Sequence, residues 1–109
     1  ASSGLFIISW FEFEQDPYEV LDILMPIFNE KYGELDSGFK ISDPENARFL
    51  GNPALLLRYN LSVTDLQHSG EKLIFNCNGK SISLLFQEAV EDHEKNLDGF
   101  NQINNSIKC

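Results

Sequence analysis

The chain is poor in bases. Eight Lys and Arg residues stand against 17 Asp and Glu, a formal net charge of −9 over 109 residues. That balance speaks against nucleic acid as a ligand, because affinity there comes largely from cations that neutralise phosphates. It speaks equally against an anionic membrane surface. No run of about 18 apolar residues occurs, so no segment reads as a membrane-spanning helix. Cysteine is scarce too. Cys77 and Cys109 make no disulfide framework, and they read as two thiols, Cys77 packed as a small hydrophobe. There is no C-x-x-C, H-x-x-x-H or H-E-x-x-H pattern, so no metal site is expected. Gly33, Gly38, Gly51, Gly70 and Gly79 are isolated, so no glycine-rich loop cradles a phosphate and no cofactor is expected.

Catalytic groups are equally sparse. Cys77, His68 and His93 are the candidates for a nucleophile and its base. A reactive thiol needs a thiolate-favouring neighbourhood, whereas Cys77 alternates with apolar Phe75, and His93 falls in an apolar helical stripe. Glu12 and Glu14 project from one strand face as a pair of carboxylates. Such pairs do acid–base work in glycosidases, but at the end of an amphipathic strand they read as a face turned to water. No catalytic residue is assigned.

What the sequence does contain is material for a core. Apolar residues make up 42% and charged residues 23%, which suits one globular domain over residues 1–109. Leu5 to Glu14 alternates as a strand with apolar residues on both sides, the pattern of a central strand whose end reaches solvent. Asp16-Pro17-Tyr18-Glu19 is a helix start, with Asp16 as cap and Pro17 at the first helical position. Val20, Leu21, Leu24, Ile27, Phe28 and Tyr32 then share one helical face, and Gly33 is the expected stop. Pro26 on the polar side predicts a bend around a core.

Phe39 to Ser42 reads as a short strand, and Asp43-Pro44-Glu45 as the start of a short helix that Gly51-Asn52-Pro53 ends. Five alternations from Ala54 to Val63 predict a strand, followed by a polar loop from Thr64 to Glu71. Asn78-Gly79 predicts a two-residue hairpin pairing Cys77 with Lys80, Phe75 with Ile82 and Leu73 with Leu84. From Phe86 a second helix is expected, with Phe86, Ala89, Val90, His93, Leu97 and Phe100 on its apolar stripe. The order is β-α-β-(short α)-β-β-β-α. This predicts an α+β fold: one mixed or antiparallel sheet of about five strands with two main helices covering a face. Helices on opposite faces are the alternative.

The charge is unevenly spread. Residues 1–37 hold eight acids and one base (−7), residues 38–85 four acids and five bases (+1), and residues 86–109 five acids and two bases (−3). If both helices cover one face, their outer surface is a negative layer that would speed encounter with a basic protein. The candidate contact residues are Glu12, Glu14, Glu19, Asp22 and Glu30, with Glu88, Glu91 and Asp92 behind them.

In size, acidity and layout the chain resembles the small immunity proteins that protect bacteria from contact-dependent and other polymorphic toxins. The resemblance implies a single cytoplasmic domain without chemistry of its own, which blocks a cognate, often basic, nuclease toxin by tight binding. The leading segment has no basic n-region, and the apolar run Leu5 to Ile8 is too short for a signal-peptide core, which also favours the cytoplasm. Two other readings stand beside this one: a small enzyme or ligand-binding subunit with a hidden pocket, and a structural subunit that oligomerises through a sheet edge.

Overall fold

Alternating strands joined by tight turns dominate the computed structural model, which describes residues 4–33, 40–63 and 65–107. The elements are β1 (Gly4–Phe11), α1 (Pro17–Gly33), β2 (Lys40–Ile41), β3 (Glu45–Phe49), β4 (Asn52–Val63), β5 (Leu66–Cys77), β6 (Lys80–Ala89) and α2 (His93–Ser106). A single 3-10 turn, Val90–Asp92, joins β6 to α2. The strands form one six-stranded sheet in the order β1-β6-β5-β4-β2, with β3 also pairing β4. Every pairing is antiparallel, and the fold class is α+β.

Period-2 alternation sorts the strand residues onto two faces. Leu55, Leu57, Tyr59 and Leu61 of β4 point one way with Ile74 of β5 and Leu85 of β6, and α1 covers them with Val20 and Leu21. Ala54, Phe75, Cys77 and Leu84 point the other way, packed against Phe6, Phe49, Phe86 and Ile107. The α2 helix lies on this second side, where Phe100 meets Phe86 edge-on at 5.1 Å. The two helices therefore sit on opposite faces, the arrangement held as the alternative, and they do not combine into one negative layer.

The helix start is built as expected. The Tyr18 amide donates to Asp16 Oδ1 at 2.8 Å, and Pro17 opens α1. Ile27 does not join the apolar stripe, being 61% exposed, while the side chains of Phe28 and Tyr32 lie outside those described. The hairpin at Asn78-Gly79 has the predicted register, including Cys77 opposite Lys80 and Phe75 opposite Ile82. Both turn residues have positive φ (50° and 80°), the left-handed pair that matches the twist of the strands it joins.

Four expectations fail, each because pairing overrides a local signal. Among the described residues β1 is an edge strand bonded to β6 alone rather than a central one, and it ends at Phe11. Residues 45–49 form β3, not a short helix, because they fold back on β4 through Leu50-Gly51, with φ of 52° and 80°. The polar stretch from Leu66 to Glu71 is the first half of β5, held by β4 on one side and from His68 onward by β6 on the other. Phe86 to Ala89 continue β6, paired with β5 throughout and with β1 as far as Glu88, so the second helix begins only at His93. It then runs through Asp98-Gly99 to Ser106. The predicted strand at Phe39 is present from Lys40, Phe39 itself lying outside the described residues.

Cys77 is buried and disulfide-bonded rather than a free thiol. Cys109, the other cysteine of the chain, lies outside the described residues.

Candidate functional site

The acids singled out by the sequence separate into two groups. On α1, Glu19, Asp22 and Glu30 are exposed. At 3.6 residues per turn they fall within an arc of about 80° on the side away from the sheet. Ile23 and Ile27 border that arc and are 44% and 61% exposed. This helix thus presents carboxylates beside uncovered apolar side chains. Glu12 and Glu14 are exposed too, but they lie past the end of β1 rather than on it. Glu12 accepts a bond from the Trp10 indole at 3.1 Å and pairs with Lys80 at 4.0 Å. Glu14 accepts from the Gly79 amide at 3.1 Å, which ties the α1 approach to the β5–β6 turn.

The second group changes character. Glu91 is exposed, but Glu88 and Asp92 are buried, at 6% and 7% exposure, and cannot form an outer contact layer. Asp92 pairs with Lys95 at 3.4 Å. Alternation along β6 turns Glu88 toward α2, where its carboxylate bonds His93 Nδ1 and accepts from Asn96 Nδ2 at 3.2 Å. Burying a carboxylate is costly unless it is paired and hydrogen-bonded, and both partners come from the first turn of α2. The hydrogen bond to Glu88 is the main cause of a raised His93 pKa, followed by the charge of the same carboxylate. A little desolvation opposes them, and Glu94 and Glu71 add weaker fields. His93 shares its helix face with Leu97 and Phe100, as the spacing predicts, but its side chain is 62% exposed rather than packed in a core.

Between α2 and the sheet lies a cleft of about 350 Å³. Its floor comes from alternate residues of three strands, among them Arg58, Glu71, Phe86 and Glu88, and α2 supplies His93, Leu97, Phe100, Asn101 and Asn104. Arg58 crosses the floor, with Nη1 3.3 Å from Glu45 and Nε 3.4 Å from Glu71. This cleft was not visible in the sequence, because its residues come from four separate elements. Among the described residues no group of three His, Cys, Asp or Glu side chains is placed to hold a metal ion. No described helix is long and apolar enough to cross a membrane.

The fold is shared with solved structures. Eleven chains match it. PA94 of Pseudomonas aeruginosa, a protein of unknown function, superposes with a TM-score of 0.64 at 15% identity over 97% of this chain and 72% of its own. LpqN of Mycobacterium tuberculosis, involved in cell envelope biogenesis, gives 0.58 at 21% identity over 94% of this chain and 60% of its own. Cyanobacterial PsbP (CyanoP) of Synechocystis sp. PCC 6803 gives 0.58 at 15% identity over 93% of this chain and 64% of its own. The chain thus spans less than two thirds of the length of the last two. Identities this low establish a common architecture and nothing about activity. No protein-family model matches the chain, and no curated protein is significantly similar in sequence.

Proposed function

We propose that this is a non-catalytic binding protein whose α1 surface docks a basic protein. The observation that carries the reading is the solvent arc of α1, where Glu19, Asp22 and Glu30 lie beside exposed Ile23 and Ile27. Carboxylates steer a basic partner to the surface, and uncovered isoleucines give it apolar area to bury. Glu12 and Glu14 extend the acidic approach at the start of the helix. A toxin with a basic, nuclease-type active site is the partner that the immunity-protein resemblance suggests. None of the three structural neighbours bears the name of an immunity protein, so that identity rests on acidity and size.

The disulfide at Cys77 modifies the cytoplasmic expectation. Disulfides persist in oxidising compartments and are rare in the cytosol, so the bond favours a protein exposed to the cell envelope or the exterior.

The test is a triple charge reversal, Glu19→Lys, Asp22→Lys and Glu30→Lys. A basic protein recovered at one-to-one stoichiometry with the wild-type chain should associate more slowly with the triple variant. Wild-type association should also slow steeply with salt, since exposed charges are screened beyond about 8 Å at physiological ionic strength. Stability should shift by under about 0.5 kcal/mol per substitution. Unaltered rate and affinity in the variant would reduce the acidic helix to a solubilising coat.

A further inference from the structure

The cleft under α2 lies on the opposite face from the proposed docking helix, and its chemistry differs. We propose that it is a binding site for a neutral sugar, held by side-chain amides against an apolar wall. The size is suitable, since about 350 Å³ falls within the range of roughly 300–1,000 Å³ usual for small-molecule sites.

Charge decides the class of ligand. The cleft's ionic groups already satisfy one another: Arg58 bridges Glu45 and Glu71, and His93 bonds Glu88. An anion would find its only lining arginine held by two carboxylates. An organic cation would have to displace Arg58 or His93 from a carboxylate. A wholly apolar ligand would strip water from the Asn60, Asn101 and Asn104 amides and the Ser69 hydroxyl without replacing it, which is costly. Those four groups are engaged by no side chain among the described residues, so their donors and acceptors are open to a ligand.

What remains is a neutral molecule with hydroxyl groups on its rim and C–H surface on its face. Leu97, Phe86 and Phe100 supply the matching wall. The two phenyl rings meet at 73°, so they offer no parallel slot for a flat nucleobase. The puckered face of a pyranose needs no such slot. The planar amides match neighbouring hydroxyls in pairs, one donating and one accepting.

The experiment is a titration of the isotope-labelled full chain with maltose, cellobiose and chitobiose, followed by amide chemical shifts. Phenethylamine serves as the cationic comparison. At least one disaccharide should move the amides of Ser69, Leu97 and Asn101 saturably. Asn101→Leu, an exposed change on α2, should weaken that binding by about tenfold, the loss expected when hydrogen bonds to one amide are removed. Gln102→Leu, on the same helix but outside the cleft, should leave it unchanged. The same spectra report whether each variant is folded. Absence of cleft shifts with every disaccharide overturns the proposal, as does a response to phenethylamine alone. Sugar binding that is equally strong in Asn101→Leu places the ligand elsewhere and overturns it as well.

Discussion

The two faces of the sheet are closed by different means. Under α1 the seal is dry: Val20 and Leu21 from the helix meet Leu55, Leu57 and Ile74, with Leu61 and Leu85 beyond them. Under α2 the seal is split. One end is apolar, built on Phe75, Leu84 and Phe86, and the other is the polar cleft around Glu88 and Arg58. No residue of α2 is itself buried, whereas Val20 and Leu21 of α1 are. The difference teaches where stability and where recognition can reside. Burial of a large aliphatic side chain is worth about 1.5–3 kcal/mol, so the α1 face anchors the fold. The α2 face exchanges some of that anchoring for hydrogen-bonding groups left facing solvent.

The largest test of this contrast is a pair of truncations. Leu57→Ala, beneath α1, should cost about 2–5 kcal/mol in urea denaturation. Leu97→Ala on α2, already 44% exposed, should cost well under half as much. Equal losses would mean that α2 anchors the fold as firmly as α1.

Next comes Gly70, where the sheet itself is tight. A Cβ built there would lie 2.2 Å from the Tyr59 ring, which is buried and donates from its hydroxyl to Gln87 Oε1 at 2.8 Å. Gly70→Ala should therefore destabilise by about 1–3 kcal/mol, or more if the ring cannot shift. Pairing with Tyr59→Leu should recover part of the loss, because the smaller side chain vacates the space. Additive losses in the double variant would show that the ring is not what excludes the methyl group.

The smallest effect is that of pH on α2. Because Glu88 raises the His93 pKa on folding, the pair adds stability that is fully present below the ordinary value near 6.5. It is lost as pH rises through the folded-state value. Wild-type stability measured from about pH 5 to about pH 9 should converge on that of His93→Gln at the alkaline end. A constant gap between the two proteins would show that the hydrogen bond, not the imidazolium charge, supplies the benefit.

The parts of this architecture legible in the sequence are those with two agreeing local signals. Asn78-Gly79 combined a preferred turn pair with matched apolar partners, and its register is as expected. Asp16-Pro17 combined a cap with a favourable first helical residue, and α1 begins there. The β3–β4 turn carried no such pair, because Leu50 rarely adopts the positive φ it has here. Around Phe86 the signals conflicted: Phe86, Ala89, Val90 and His93 keep a helical spacing, yet pairing with β1 and β5 holds Phe86 in β6, and pairing with β5 holds Ala89. The Glu88–His93 pair was hidden for the same reason. Reading both residues on one helix set them apart, whereas the strand-to-helix transition between them turns each toward the other. The burial of Glu88 and Asp92 has no sequence signature at all, since it depends on Asn96, His93 and Lys95 arriving in place.

The pairing of β1 with β6 has a kinetic consequence. Gly4 lies opposite Glu88 and Phe11 opposite Ser81, separations of 84 and 70 residues. The β3–β4, β4–β5 and β5–β6 pairs are local hairpins. Closing a long loop costs entropy before its contacts are gained, so distant pairings slow folding. The meander from β3 to β6 is therefore expected to assemble before β1 joins it, an order that the φ-values of Ile7→Val and Leu73→Ala would check. During synthesis β1 emerges well before β6 and waits for its neighbour while the strands between them are made. Throughout that wait an uncharged segment from Gly4 to Phe11, with Trp10 among its side chains, stays open to the strands of other unfinished chains.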